Sequence, residues 1–186
     1  MNKILFIDTE TGGLNPKEVS LLSIGLVAWE NGAIKDSREI FIKQKLFKIT
    51  PDAIRINKIN LYDCLVDAIP EEEAISSIIA FIKKNNLVDE TGTVVLAGHN
   101  VNFDIGFLKE LFVKEQELFE KTFGHRFIDT ASILKFLLYA GKLSADISSS
   151  TKAFEYFNIM VPKRHSALGD ALATANLFTE LLNLVQ

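Results

Sequence analysis

Three short segments carry the side chains best suited to chemistry: Phe6-Ile7-Asp8-Thr9-Glu10-Thr11-Gly12-Gly13, His99-Asn100-Val101-Asn102-Phe103-Asp104 and His165-Ser166-Ala167-Leu168-Gly169-Asp170. Each sets acids beside an apolar stretch able to anchor them. Together they supply four carboxylates, Asp8, Glu10, Asp104 and Asp170, and one imidazole, His165. Carboxylate oxygens are the ligands that hard divalent cations take. An imidazole titrates near neutrality. That set of groups suits metal-assisted cleavage of a phosphodiester.

Each segment also has a plainer reading. Asp-x-Glu is a common pattern, and Asp8 and Glu10 fit an ordinary strand end followed by a turn. On a strand, however, residues two apart share a face, and two carboxylates so placed repel unless a cation lies between them. Asp104 falls in the first turn of a helix, where an acid is favoured by the dipole alone. Phe103 beside it suits the core or a nucleobase, and His99 suits a supporting, hydrogen-bonded role. On one helix, His165 and Asp170 would diverge by about 140°. Ser166 is a good N-cap, so the helix is predicted to start there, with His165 outside it and able to turn toward the same point as Asp170. A surface histidine beside Lys163 and Arg164 is the plain alternative. His125 receives no role, Asp129 is read as a helix cap, and Cys64 as a small core residue.

The elements that must position these groups follow from pattern. Lys3 to Ile7 reads as a buried strand, Val19 to Glu30 as a second, and Asn31-Gly32 as a hairpin turn leading to a third over Ile34 to Lys43. Thr50 caps a short helix that opens on Pro51. Pro70-Glu71-Glu72-Glu73 opens a longer helix through Ile82, with Ile75, Ile78, Ile79 and Ile82 on one side. Asp89 to Gly92 is a turn, and Thr93 to Ala97 a buried strand that delivers His99 and Asn100. A helix is predicted over Asn102 to Glu117, a short strand over Arg126 to Ile128, and helices over Thr130 to Tyr139, Thr151 to Phe157 and Ser166 to Val185. Strands first and then strands mixed with helices make an α/β class with a mixed sheet.

The chain has 186 residues, 48% of them hydrophobic, which suits one compact domain spanning 1–186. A net charge of −4 excludes a globally basic nucleic-acid binder and leaves room for a local basic patch. The one cysteine excludes an internal disulfide and fits a reducing compartment. The apolar run ending at Asp8 is too short for a signal peptide, and no stretch approaches the ~20 apolar residues of a membrane span. A soluble, cytoplasmic protein is expected.

In order and spacing, the three segments resemble the motifs of the DEDDh family of 3′–5′ exonucleases, the group of polymerase proofreading domains, ribonuclease T and oligoribonuclease. Phe107-Leu108 after the second segment and Ala171 after the third extend the resemblance, which runs from residue 4 to about 182. It implies a ribonuclease H-like fold, a five-stranded mixed sheet flanked by helices. It also implies two Mg²⁺ or Mn²⁺ ions bridged by Asp8. Glu10 and Asp170 complete the site of the ion holding the attacking water, and Asp104 serves the second ion largely through water. His165 takes the proton, and 5′-mononucleotides leave from the 3′ end of a single strand. For substrate contacts, the resemblance implies the backbone of Thr9 to Thr11 at the terminal 3′-hydroxyl, Phe103 against the end nucleotide and Ile59 as a wedge between bases, with His99 and Asn100 in support. A family segment that commonly reads Ile-His-Gly-Ile is here Ile56-Asn57-Lys58-Ile59, which adds Lys58 as a phosphate contact.

The resemblance leans toward DNA over RNA, with 3′ ends as substrate and a DNA polymerase or a second copy of the chain as candidate partners. Two rival readings stand beside it: a non-catalytic module that binds nucleic-acid ends or a polymerase, and an enzyme for very short oligoribonucleotides. The intact set of five groups argues against the first.

Overall fold

The computed structural model describes residues 3–57, 66–161 and 165–185. Lys58, Ile59, Cys64, Lys163 and Arg164, each assigned a reading above, lie outside the described residues.

Five strands form one sheet: β1 (Lys3–Thr11), β2 (Leu21–Glu30), β3 (Ala33–Phe41), β4 (Val94–Gly98) and β5 (Phe123–Asp129), in the order β3-β2-β1-β4-β5. The first three make the expected antiparallel meander, while β4 runs parallel to β1 and β5 parallel to β4. The hairpin turn works because Asn31 and Gly32 both adopt positive φ, +50° and +88°, as a type I′ turn requires. Strands β1, β4 and β5 therefore end on the same edge of the sheet, and the three sequence segments meet there.

Alternation along β1 divides the core in two. Leu5 and Ile7 face helices α2 (Glu71–Lys84) and α3 (Asn102–Leu111), in a cluster with Ile78, Phe81, Phe107 and Leu108. Ile4 and Phe6 face the long C-terminal helix, packing with Val27, Trp29, Ala171, Ala175 and Phe178. Alanines at the contact let that helix lie close to the sheet. Closest of all is Gly25 on β2, where a Cβ would stand 2.3 Å from the carbonyl oxygen of Ala167.

The end of β1 is tied down from the other side. Thr50 N–H donates to the Gly12 carbonyl at 2.7 Å, and Ser20 N–H donates to Lys48 O at 3.0 Å. A Cβ on Gly12 would meet Lys48 O at 2.1 Å. These bonds set α1 (Pro51–Asn57) beside the strand end, with Thr50 Oγ1 accepting from Ala53 N–H as the predicted cap.

Three expectations change. Strand β1 runs past Ile7 to Thr11, because its ladder with β2 continues through Asp8↔Gly25, Thr9↔Ile24 and Glu10↔Ser23. The helix over Asn102 to Glu117 is broken into α3 and α4 (Gln116–Thr122). Phe112 is fully buried and its ring lies 5.8 Å from Phe119 and 5.8 Å from Phe123. On an unbroken helix Phe112 and Phe119 would sit about 10 Å apart along the axis, so closing this aromatic cluster requires the chain to fold back after Phe112. Strand β5 is longer than Arg126 to Ile128. Its pairing with β4 jumps from Val94↔Phe123 to Leu96↔Phe127, so Gly124 to Arg126 bulge outward and lose the alternation that marks a strand. Among the described residues the remaining helices are α5 (Thr130–Tyr139), α6 (Ser150–Tyr156) and α7 (Ala167–Val185), within a residue of expectation. No helix among the described residues is long and apolar enough to cross a membrane.

Candidate metal centre

Asp8 and Glu10 point from β1 to the face covered by α7, as their spacing predicts. Ser166 caps α7: its Oγ accepts from Gly169 N–H at 3.1 Å. This sets Asp170 in the first turn, over β1 and β2. The close approach at Gly25, directly across from Asp8 in the β1–β2 pairing, brings the helix end down to the carboxylates. As a result, ligand oxygens of Asp8, Glu10 and Asp170 all lie within 4.8 Å of one another. Glu10 is buried, and the other two are half-buried.

At an effective dielectric near 20, two full negative charges this close repel by about 3.5–4 kcal/mol. A bound cation removes that cost and gains from all three groups. Three hard oxygen donors in one place suit a divalent ion of the Mg²⁺, Mn²⁺ or Ca²⁺ kind better than one that prefers nitrogen or sulfur.

The fourth acid lies apart from this group. Asp104 rides on α3, which packs on the opposite face of the sheet. Its Oδ1 accepts a 2.6 Å hydrogen bond from the hydroxyl of Thr9, and both side chains are buried. Burial pushes the Asp104 carboxyl up to about 7, against the opposing pull of its bonds to Thr9, and Asp129 adds a small upward push.

His165 stands outside α7, as expected, with a left-handed backbone (φ +60°). A non-glycine residue is rarely held in that conformation, and here it reverses the chain just before the Ser166 cap.

The supporting residues form a compact network. Thr130 Oγ1 donates to Gly98 O at 3.1 Å, so its contact with His99 Nδ1 at 2.9 Å has the imidazole as donor. His99 is thereby assigned the Nδ1–H tautomer, with Nε2 as its accepting nitrogen. Asp129 caps α5 through Ala131 N–H at 3.2 Å and also accepts from Asn100 N–H at 2.7 Å. This second bond holds Asn100 in its left-handed turn, φ +57°. Phe103 is 36% exposed and packs on Phe107, with ring centroids 5.1 Å apart. Thr11 Oγ1 donates to Gly13 O at 2.8 Å, fixing the turn after β1. Sequence reasoning missed Thr130, Gly25 and the second bond of Asp129. It also gave Thr9 only a backbone role.

The profile of a family described as exonuclease (RNase T) matches residues 5–178. Ribonuclease T of Buchnera aphidicola subsp. Acyrthosiphon pisum (strain APS) is 31% identical over 185 residues, covering 95% of this chain and 80% of that protein. Ribonuclease T of Klebsiella pneumoniae is 27% identical over 185 residues, with 95% and 83% covered. Among solved structures, Escherichia coli exonuclease I in complex with a dT13 oligonucleotide superposes with a TM-score of 0.78 at 14% identity. That match covers 97% of this chain and 41% of the other, so this chain spans about two fifths of exonuclease I. Exonuclease X in complex with 5′ overhanging duplex DNA gives 0.64 at 20% identity, covering 97% and 91%. The fold is thus the ribonuclease H-like fold of exonucleases, and divalent-metal dependence is the chemistry of this family. With the family profile running through nearly the whole chain and ending beyond Asp170, the protein belongs to the DnaQ-like, DEDDh family of 3′–5′ exonucleases.

Proposed function

We propose that the chain removes 5′-mononucleotides one at a time from the 3′ ends of single-stranded nucleic acid, using two Mg²⁺ or Mn²⁺ ions. The observation that carries this reading is the convergence of Asp8, Glu10 and Asp170 within 4.8 Å, in a chain matched to an exonuclease family from residue 5 to residue 178. Asp8, Glu10 and Asp170 would hold the ions, with Asp104 reaching the second through water. Bound there, they would supply activation of the attacking water and relief of the charge that builds on the phosphate oxygens.

His165 accepts the proton of that water. Its place before the helix cap leaves the imidazole outside α7 while Asp170 is held within it. Phe103, partly exposed beside Asp104, packs on the terminal base. The backbone of Thr9 to Thr11, held by the bonds at Gly12 and Gly13, receives the terminal 3′-hydroxyl.

The sugar is a separate matter. The sequence motifs lean to DNA, and exonuclease I of similar fold is known in a complex with single-stranded DNA. The relatives that match over the full chain are named ribonuclease T. We therefore propose that 3′ ends of both sugars are substrates, with RNA the better one. The test is a pair of 5′-labelled oligonucleotides of matched sequence, one DNA and one RNA, incubated with Mg²⁺, with Mn²⁺ and with chelator. Stepwise shortening from the 3′ end, lost in chelator, is the expected result. Binding without shortening under every metal would refute it, and faster loss of the DNA would reverse the sugar preference.

A further inference from the structure

Thr9 lies between two of the clustered acids, yet its side chain belongs to the other face of the sheet. Its hydroxyl meets Asp104 Oδ1 at 2.6 Å across 95 residues of sequence, with both groups buried. This bond, with the Thr9 backbone N–H acting on the same carboxylate, ties the strand that carries Asp8 and Glu10 to the helix that carries Asp104.

We infer that Thr9 is a positioning residue. Its hydroxyl fixes the rotation of the Asp104 carboxylate, so that Oδ1 is engaged by the protein and Oδ2 is the oxygen offered to a cation or its water. The inference rests on the function proposed above and adds a side-chain role to the backbone role implied by the sequence motif. The logic is that of an outer partner that orients a ligand: the ligand works only when its remaining lone pairs point at the ion, and loss of such a partner characteristically costs about 10–100-fold in metal affinity or activity. A bond this short, between a hydroxyl and a carboxylate, has the charge-assisted character that would hold such an orientation.

The two roles of Thr9 can be separated. Thr9→Val keeps the backbone, the shape and the preference for a strand, and deletes only the donor. Thr9→Ser keeps the donor. The valine variant is expected to lose about 10–100-fold in kcat and to take up Mn²⁺ more weakly by titration calorimetry, while its KM for a single-stranded oligonucleotide stays near the wild-type value. The serine variant should recover both kcat and Mn²⁺ uptake. Thr9→Ala, which removes the same donor with less bulk, covers a valine variant that does not fold. Wild-type kcat and Mn²⁺ uptake in the valine or alanine variant would overturn the inference, as would a serine variant as impaired as they are. A wild-type chain that shortens no oligonucleotide and takes up no Mn²⁺ would instead sink the function on which the inference rests. Failure at Thr9 alone, in an active enzyme, would leave that function standing.

Discussion

Asp104 should make the metal-free protein less stable as the solution becomes alkaline, and replacing it with asparagine should remove this loss. In the folded chain, burial raises its carboxyl from the ordinary 3.8 to about 7. The native state therefore binds this proton more tightly than the unfolded chain does. The sign follows: the proton's contribution is fully present below about pH 4, shrinks as pH rises, and is lost above about pH 7. The difference of roughly three units corresponds to about 4 kcal/mol at 1.36 kcal/mol per unit. Asp104→Asn removes the titration while its amide oxygen still accepts from the Thr9 hydroxyl. With chelator present, the variant should match the wild type near pH 4 and exceed it by up to about 4 kcal/mol at pH 8. For a chain of this size that is about 8–16 °C in Tm. Scanning calorimetry of both proteins at pH 5, 6.5 and 8 reads the effect directly, since the other titrating groups are common to the pair and cancel. Saturating Mn²⁺ should narrow the gap by stabilising the wild type more, with ~2.7 kcal/mol available at a hundredfold excess over Kd. A Tm difference that does not change with pH would show that Asp104 is charged without penalty where it sits, and the reading of its site would be wrong.

The other expectations concern the centre and its frame. Asp170→Ala and Asp8→Ala should each abolish turnover and sharply weaken Mn²⁺ uptake by calorimetry; full activity in either would remove the three-carboxylate group from the mechanism. His165→Ala should lower kcat by about 10²–10⁴-fold with metal uptake retained; a variant as fast as wild type would deny His165 its role. Gly25→Ala puts a methyl 2.3 Å from Ala167 O, so it should destabilise by about 1–3 kcal/mol and weaken metal uptake by lifting Asp170 away. A melt that loses stability while metal affinity holds would mean the helix end does not set the cluster.

The side chains able to do chemistry were legible in the sequence, but the contacts that hold them were not, and the difference has a physical origin. Few residue types ligate hard cations, so acids at a strand end, a helix start and a capped helix start are informative by type alone. The period of two put Asp8 and Glu10 on one face, and the Ser166 cap put Asp170 inside α7 and His165 outside it; both rules are local. The frame is built from threonine, alanine and glycine, whose roles depend on what the fold brings against them. Thr130 is one more helix residue until Gly98 O accepts its proton and so decides the tautomer of His99. Gly25 sits in an apolar strand and gives no signal until α7 crosses it. The end of α3 at Phe112 is not marked by proline or glycine; it follows from an aromatic cluster closed by Phe119 and Phe123.

The same distinction governs how the four acids differ. By type they are interchangeable, and the sequence treats them as one set. The structure places three on the α7 face and carries the fourth on a helix packed against the other, bonded to Thr9 between two of them. A group buried behind the strand bears a desolvation cost that half-buried Asp8 and Asp170 share less. Neutralising Asp104 should therefore stabilise the metal-free chain more than neutralising Asp170 does, even though both changes should stop catalysis. Such a split requires the acids to occupy the two sides of β1, and a single common cup would make the two variants melt alike.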